Sequence, residues 1–274
     1  MHWILQNNLF NEKEWDNLVS TLERMDIPYS VHKVIPFIGE LIPEPEISHK
    51  NVICFGSYSM RHTAKKMGWN PGVYDLFDIN FEIQRKHWKN ELLNFDAEVV
   101  EFKNAWIEEP TFIRPIDDSK YFAGRIFDKD EFLSWKHSIV VQDHDYGTGL
   151  NKDTKIMLCK PKTIYSEYRF WIVDGKPVTW SLYKRGNRVM YSADVDNAVI
   201  KYAHHVGCAN TLAVRNPLPW LPKAFVLDVC ETPEGFKIVE INTINSAGFY
   251  AGNIPTIVNE LEIANILNKH KFLT

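Results

Sequence analysis

Apolar and polar positions alternate with period two through residues 224–250, AFVLDVCETPEGFKIVEINTINSAGFY. FVLDVC sets Phe225, Leu227 and Val229 on one face of a strand and Val226, Asp228 and Cys230 on the other. FKIVEIN places Phe236, Ile238, Glu240 and Asn242 on one face of a second strand. A three-residue loop at 233–235, with Gly235 left-handed, pairs Thr232 with Phe236 and sets Asp228 opposite Glu240. A loop of another length makes that pairing diagonal.

Upstream the pattern is mixed. Asn11 stands as a helix cap with Glu14 three residues on, and Trp15, Leu18, Val19 and Leu22 form the helix's apolar stripe. Residues 29–35 read as a strand, and 36–45, with its prolines, as a loop. NVICF at 51–55 reads as a buried strand, followed by a Gly56-Ser57 turn and a helix at 60–67, the order of an α/β unit. Residues 69–72 read as a turn, 81–93 as a helix, and 98–102 and 111–115 as strands.

Asp128 or Asp130 caps a short helix through Trp135, 138–142 reads as a strand, and DHDYGTGLNKD at 143–153 as a polar loop. Strands follow at 155–159, 167–173 and 177–183, the last two a hairpin across Asp174-Gly175. Asp194 or Asp196 opens a helix with Val199, Ile200 and Ala203 inward. Residues 255–270 close the chain as an amphipathic helix carrying Ile257, Leu261, Ala264 and Leu267. The change of pattern near 105 predicts an N-terminal α/β domain at 1–105 and a second domain at 106–274.

Composition narrows the function classes. The 274 residues are 45% hydrophobic and 24% charged with net charge −4, an ordinary globular balance without a basic block, which argues against nucleic acid as partner. Cys54, Cys159, Cys208 and Cys230 form no CxxC pair, which argues against a zinc site or a disulfide framework. With no basic, apolar leader and no run of eighteen apolar residues, a cytoplasmic protein without a membrane span is expected.

The candidate chemistry is acidic first. Asp228, Glu240 and Asn242 offer oxygen donors only, a set that suits Mg²⁺, although a solvated sheet face accounts for the acids equally well. Basic groups precede them. Arg114 lies among Phe112, Ile113 and Ile116, where an unpaired charge is costly, and Lys120 follows. Lys160-Pro161-Lys162 ends a strand, and Lys184, Arg185 and Arg188 form a basic turn. Polyphosphate with Mg²⁺ would satisfy both signs; internal ion pairs such as Arg114 with Asp117 are the alternative. His204-His205 and Asp143-His144-Asp145 read as a helix face and a solvated loop.

In this order the motifs resemble those of the ATP-grasp enzymes over about residues 50–255. Asp228 with Glu240-Ile-Asn242 resembles the family's metal-binding Asp and Glu-x-Asn, and Ser246-Ala-Gly248 stands where related ligases have Ser-Pro-Gly. FIRP at 112–115 is similar to the family's Lys-Pro strand end, with Arg114 for the phosphate-binding lysine, as in a divergent phage and bacterial branch. Lys160 and Glu167 fall in a segment similar to the adenine-carrying hinge, with Glu167 at the ribose position, and Lys184 or Arg185 at a basic phosphate or substrate position.

The resemblance implies an α/β (α+β) ATP-grasp fold, with a pre-grasp domain followed by small (106–160) and large (161–274) subdomains clasping ATP. It implies Mg²⁺, as a pair of ions and replaceable by Mn²⁺, on Asp228, Glu240 and Asn242. Nucleotide contacts fall to Arg114, Lys120, Lys160 and Glu167, and catalytic roles to Arg169, Lys184 and Arg185. The implied activity is ATP-dependent carboxylate–amine or carboxylate–thiol ligation through an acyl phosphate, on small-molecule or peptide substrates, with the 143–153 loop closing over the site. A non-catalytic ATP-binding module and a phosphotransferase for a non-carboxylate acceptor are the alternatives. One departure stands out: many ligases of the family carry arginine two residues before the hairpin aspartate, where this chain has Val226. Lys223, Arg169 or Arg215 are candidates for the missing charge.

Overall fold

Short apolar runs, buried on both faces, begin the chain. The computed structural model describes residues 1–7, 12–76, 79–116, 121–141, 149–212 and 221–271. The Asn11 cap, Asp117 and Lys120, most of the 143–153 loop, Arg215 and the Leu267 side chain lie outside the described residues.

Strand β1 (His2–Gln6) leads through α1 (Glu12–Arg24) to β2 (Tyr29–Val34) and a short β3 (Leu41–Ile42), which falls within the expected 36–45 loop. Next come β4 (Asn51–Phe55), α2 (Met60–Met67) and β5 (Asn70–Gly72), the last a strand where a turn is expected. The sheet order is β3-β2-β1-β4-β5, with β1 parallel to both β2 and β4. Trp3, Ile4 and Leu5 on β1 and Val52, Ile53, Cys54 and Phe55 on β4 are fully buried, as parallel strands covered on both faces require. Gly56 follows β4 because a Cβ there would meet Gln6 Cβ and Met60 Sδ at 2.5 Å, and the Ser57 N–H donates to Gln6 Oε1 at 2.6 Å. Packing thus accounts for the Gly-Ser turn.

The chain divides into two units: Met1–Leu76, Tyr165–Glu231 and Glu240–Thr274 form one, and Phe77–Ile164 with Thr232–Val239 the other. The second unit contains α3 (Phe81–Trp88), β6 (Glu98–Glu101), β7 (Thr111–Pro115), β8 (Arg125–Phe127), α4 (Lys129–Val140) and β9 (Lys155–Cys159). Its sheet runs β6-β9-β7-β8 over a core of Phe102, Phe127 and Phe132, with Trp135 stacked on Phe127 at 4.8 Å. Asp128 caps α4 by accepting the Glu131 N–H at 2.8 Å. Residues 138–140 are helical rather than a strand, because Phe132 and Ile139 fall on one helical face and bury together.

The first unit also holds the antiparallel sheet β12-β11-β10-β13-β14. It comprises β10 (Ser166–Val173), β11 (Lys176–Arg185), β12 (Arg188–Ser192), then α5 (Asn197–Leu212), β13 (Ala224–Thr232) and β14 (Gly235–Asn242), of which residues 240–242 belong to this unit. Asp174 and Gly175, both with positive φ (46° and 72°), turn β10 into β11 as the Asp-Gly pair predicts. Gly235 has φ 102° but already belongs to β14, so the β13–β14 turn is shorter than the three-residue loop expected. Helix α6 (Ile254–Lys271) packs Ile257, Val258, Leu261 and Ala264 into a core shared with Trp3, Phe55, Trp171 and Val226.

Candidate active site

One face of the β10–β13 ladder changes character along its length. Successive rungs pair Val173 with Ala224, Trp171 with Val226, Arg169 with Asp228, and Glu167 with Cys230. The first two rungs lie in the core that α6 covers. The third is a charged pair: Arg169 Nε donates to Asp228 Oδ1 at 2.9 Å and Nη2 to Oδ2 at 2.8 Å. Asp228 is only 2% exposed. Removing either partner of such a pair leaves a buried uncompensated charge.

Asn242, at the end of β14, joins the pair to the next acid. Its Nδ2 donates to Asp228 Oδ2 and to Glu240 Oε1, each at 3.1 Å. Beside them Glu167 accepts the Tyr183 hydroxyl at 2.9 Å and the Lys184 ammonium at 2.6 Å. The Arg169 guanidinium lies over the Tyr250 ring, 4.7 Å from its centroid, and 5.8 Å from that of Tyr183.

The electrostatics follow from burial. Desolvation pushes the Asp228 carboxyl above its usual range against the pull of Arg169, and the neighbouring Glu240 and Glu167 add to the rise. Burial works against the Arg169 charge, but its bonds to Asp228 outweigh that and hold it firmly protonated. Burial, then the nearby Asp228 and Glu167 charges, raises the Tyr183 phenol, which keeps it a neutral donor.

The loop after β14 is stapled to the parallel sheet of the same unit. Asn245, 1% exposed, donates to Cys54 O at 2.6 Å and accepts the Tyr74 N–H at 2.8 Å, while its carbonyl accepts the Gly56 N–H at 2.8 Å. The Ser246-Ala-Gly248 segment therefore leaves β14 in a set direction.

Of the residues singled out from sequence, Glu167, Arg169, Lys184, Asp228, Glu240 and Asn242 converge in the first unit. Arg185 is exposed and faces Arg188 across the β11–β12 turn. Arg114, half-buried on β7, and Lys160, exposed after β9, belong to the second unit, where Lys162 pairs with Asp96 at 2.7 Å. Lys223 is tied to Ala264 O at 2.7 Å and to Asp174 at 3.4 Å, at the other end of β13. Val226 is fully buried against Trp171, so an arginine there would lie in the core. His204 and His205 are exposed on α5. Tyr183, Tyr191, Tyr250 and Glu14 carry no sequence signal, since only folding brings them to the site. A cleft of about 630 Å³ at the start of α6, lined by Asn17, Thr179 and Asn253 among others, contains none of these groups.

Asp228, Glu240 and Asn242 fit a hard cation in donor chemistry, being two carboxylates and a carboxamide. The Asn242 amide, with its nitrogen toward both acids, would present Oδ1 to a cation when turned over. Among the described residues no group of three or more His, Cys, Asp or Glu side chains is placed to hold a metal ion.

A family model described as an ATP-grasp domain, family 3 of its clade, matches residues 45–261. The chain belongs to this ATP-grasp family. Solved structures agree on the fold. The D-alanine–D-alanine ligase of Bacillus anthracis is similar with TM-score 0.62 at 13% identity, covering 98% of each chain. The ATP-grasp ligase PsnB with a minimal precursor gives 0.57 at 9%, covering 96% of this chain and 98% of that one. The RimK domain ATP-grasp protein of Sphaerobacter thermophilus gives 0.56 at 10%, covering 97% of each. The comparison with curated proteins returns no match. The ATP-grasp chain thus has an α/β fold shared with ATP-dependent ligases, and no helix among its described residues is long and apolar enough to cross a membrane.

Proposed function

We infer that this ATP-grasp chain joins a carboxylate to an amine at the expense of ATP. The convergence of Arg169, Asp228, Glu240 and Asn242 at the polar end of one sheet face supports the reading. A stable carboxylate lacks a leaving group. In the first step its oxygen attacks the γ-phosphorus, the bond to the β-phosphate oxygen breaks, and ADP leaves. In the second the amine nitrogen attacks the acyl carbon, the carbon–oxygen bond to phosphate breaks, and the amine gives up a proton.

Asp228, Glu240 and Asn242 would hold Mg²⁺, which when bound neutralises charge on the phosphates. Glu167 serves the ribose, while Lys184 and Arg185 bind anionic oxygens. Arg114, Lys120 and Lys160 take nucleotide contacts on the family pattern. Arg169 provides the guanidinium that Val226 does not, being the candidate that lies directly across the ladder from Asp228. The substrates are a small-molecule or peptide carboxylate and an amine.

The test is ADP release over a panel of carboxylates and amines. Glu240→Ala should abolish release while leaving the melting temperature within a few degrees. ATP turnover that survives this change removes the metal assignment. A melting-temperature shift with ATP but no turnover on any substrate makes the chain a binding module, and a stable phosphorylated product in ³¹P NMR makes it a phosphotransferase.

A further inference from the structure

Four tertiary contacts single out Tyr250, a residue no motif marks. Its ring lies under the Arg169 guanidinium, 4.7 Å from centroid to Cζ. The same ring is stacked by Tyr191 at 4.8 Å and 23° and by Tyr183 at 5.4 Å and 27°. Tyr250 holds φ 49°, a left-handed conformation that a bulky side chain adopts only under constraint.

The constraints are visible on either side. From α1, Glu14 Oε1 accepts two consecutive backbone N–H groups, those of Phe249 and Tyr250, each at 3.0 Å. The Phe249 ring is 1% exposed and stacks on Phe55 at 6.2 Å and 8°. Gly252 lies so close beneath Trp171 that a Cβ there would stand 2.6 Å from the indole. The backbone of residues 249–252 is therefore over-determined where it places one aromatic ring against one guanidinium.

We propose that Tyr250 is a positioning residue, latched by Glu14, whose ring face holds Arg169 in the plane from which it grips both oxygens of Asp228. A guanidinium has several rotamers open to it; a planar ring across its face removes most of them and leaves the fork aimed at the carboxylate. The hydroxyl is not what matters, because Arg169 meets the ring. Tyr183 and Tyr191 in turn keep the Tyr250 ring from rotating away. This assignment rests on the ligase reading only in its kinetic consequence; the geometric claim stands in the resting chain.

The experiment compares Tyr250→Leu, Tyr250→Phe and Glu14→Gln in the full chain. Arginine Nε–H spectra of ¹⁵N-labelled protein read the geometry without turnover, since the Arg169 Nε–H is bonded to a buried carboxylate and lies in the Tyr250 ring current. That signal should persist in Tyr250→Phe and Glu14→Gln, and move or exchange away in Tyr250→Leu. In ADP release, Tyr250→Leu should lose about 10–100-fold in kcat, with KM for ATP within about threefold, and Tyr250→Phe should recover most of it.

An unchanged Arg169 signal in Tyr250→Leu overturns the proposal, as does Tyr250→Phe as damaged as Tyr250→Leu. If Tyr250→Leu does not fold, a Tyr250→Phe signal displaced from the parent position overturns it equally. If the parent chain releases no ADP on any substrate, the ligase reading fails while the spectra still decide the role of Tyr250.

Discussion

Two neighbouring rungs of one ladder, a single alternation apart, have opposite chemistry. Trp171 with Val226 and Arg169 with Asp228 share strands, face and near-complete burial. The first rung removes a large apolar area from water and gains packing with α6 and Gly252. The second takes two charges out of water, and a buried ion pair seldom stabilises more than apolar side chains of similar volume would. Stability explains the first rung. The second is explained by what Arg169 and Asp228 can do for a phosphate-handling site, and Tyr183, Tyr250 and Asn242 surround it accordingly.

The core rung should show the largest loss. Trp171→Ala is expected to cost about 3–5 kcal/mol, seen as a lower denaturation midpoint, with activity falling in step with the folded fraction. Arg169→Leu should follow at about 3 kcal/mol, because the Asp228 carboxylate is left buried without its partner. The two differ in rescue. Adding Asp228→Leu to Arg169→Leu should return stability to within about 1 kcal/mol of the parent and leave ADP release abolished. A double variant as unstable as Arg169→Leu would mean that the charged rung stabilises the fold on its own account.

The smallest effect concerns a buried ionisable group of the parallel sheet. Burial pushes the Cys54 thiol up to about 12 from 9.0. A raised native value means that the unfolded chain holds fewer protons above pH 9, so this contribution to stability is intact below pH 9 and declines toward pH 12. Melting midpoints should fall across that alkaline range, and Cys54→Ala should flatten part of the fall. Alkylation of Cys54 at about pH 8 should be negligible in the folded chain.

Much of the site was legible because its signal is local. Asp228, Glu240 and Asn242 interrupt a period-two apolar pattern, and a strand's side chains alternate whatever it pairs with. The strands at 51–55, 111–115 and 155–159 and the helix at 60–67 were readable for the same reason. Residues 138–140 misled because SIVV suits a strand by composition, while Phe132 and Ile139 bind the segment into α4. Strands β1 and β12 lack a legible pattern: HWILQ is a short central strand without alternation, and RVMYS lies mostly exposed at a sheet edge.

By itself the sequence determined which oxygens and cations the chain carries and on which strand faces they stand, because propensity and alternation act between neighbours. It also carried the order of motifs by which the ATP-grasp family is recognised. Only the tertiary structure decided that Arg169, and not Lys223, faces Asp228, since strand register there depends on residues 59 positions apart. It alone brought Glu14 from α1 to the Tyr250 backbone and the Tyr250 ring to Arg169. Those contacts depend on how a sheet, a helix and a loop close on one core, which no local pattern of residues encodes.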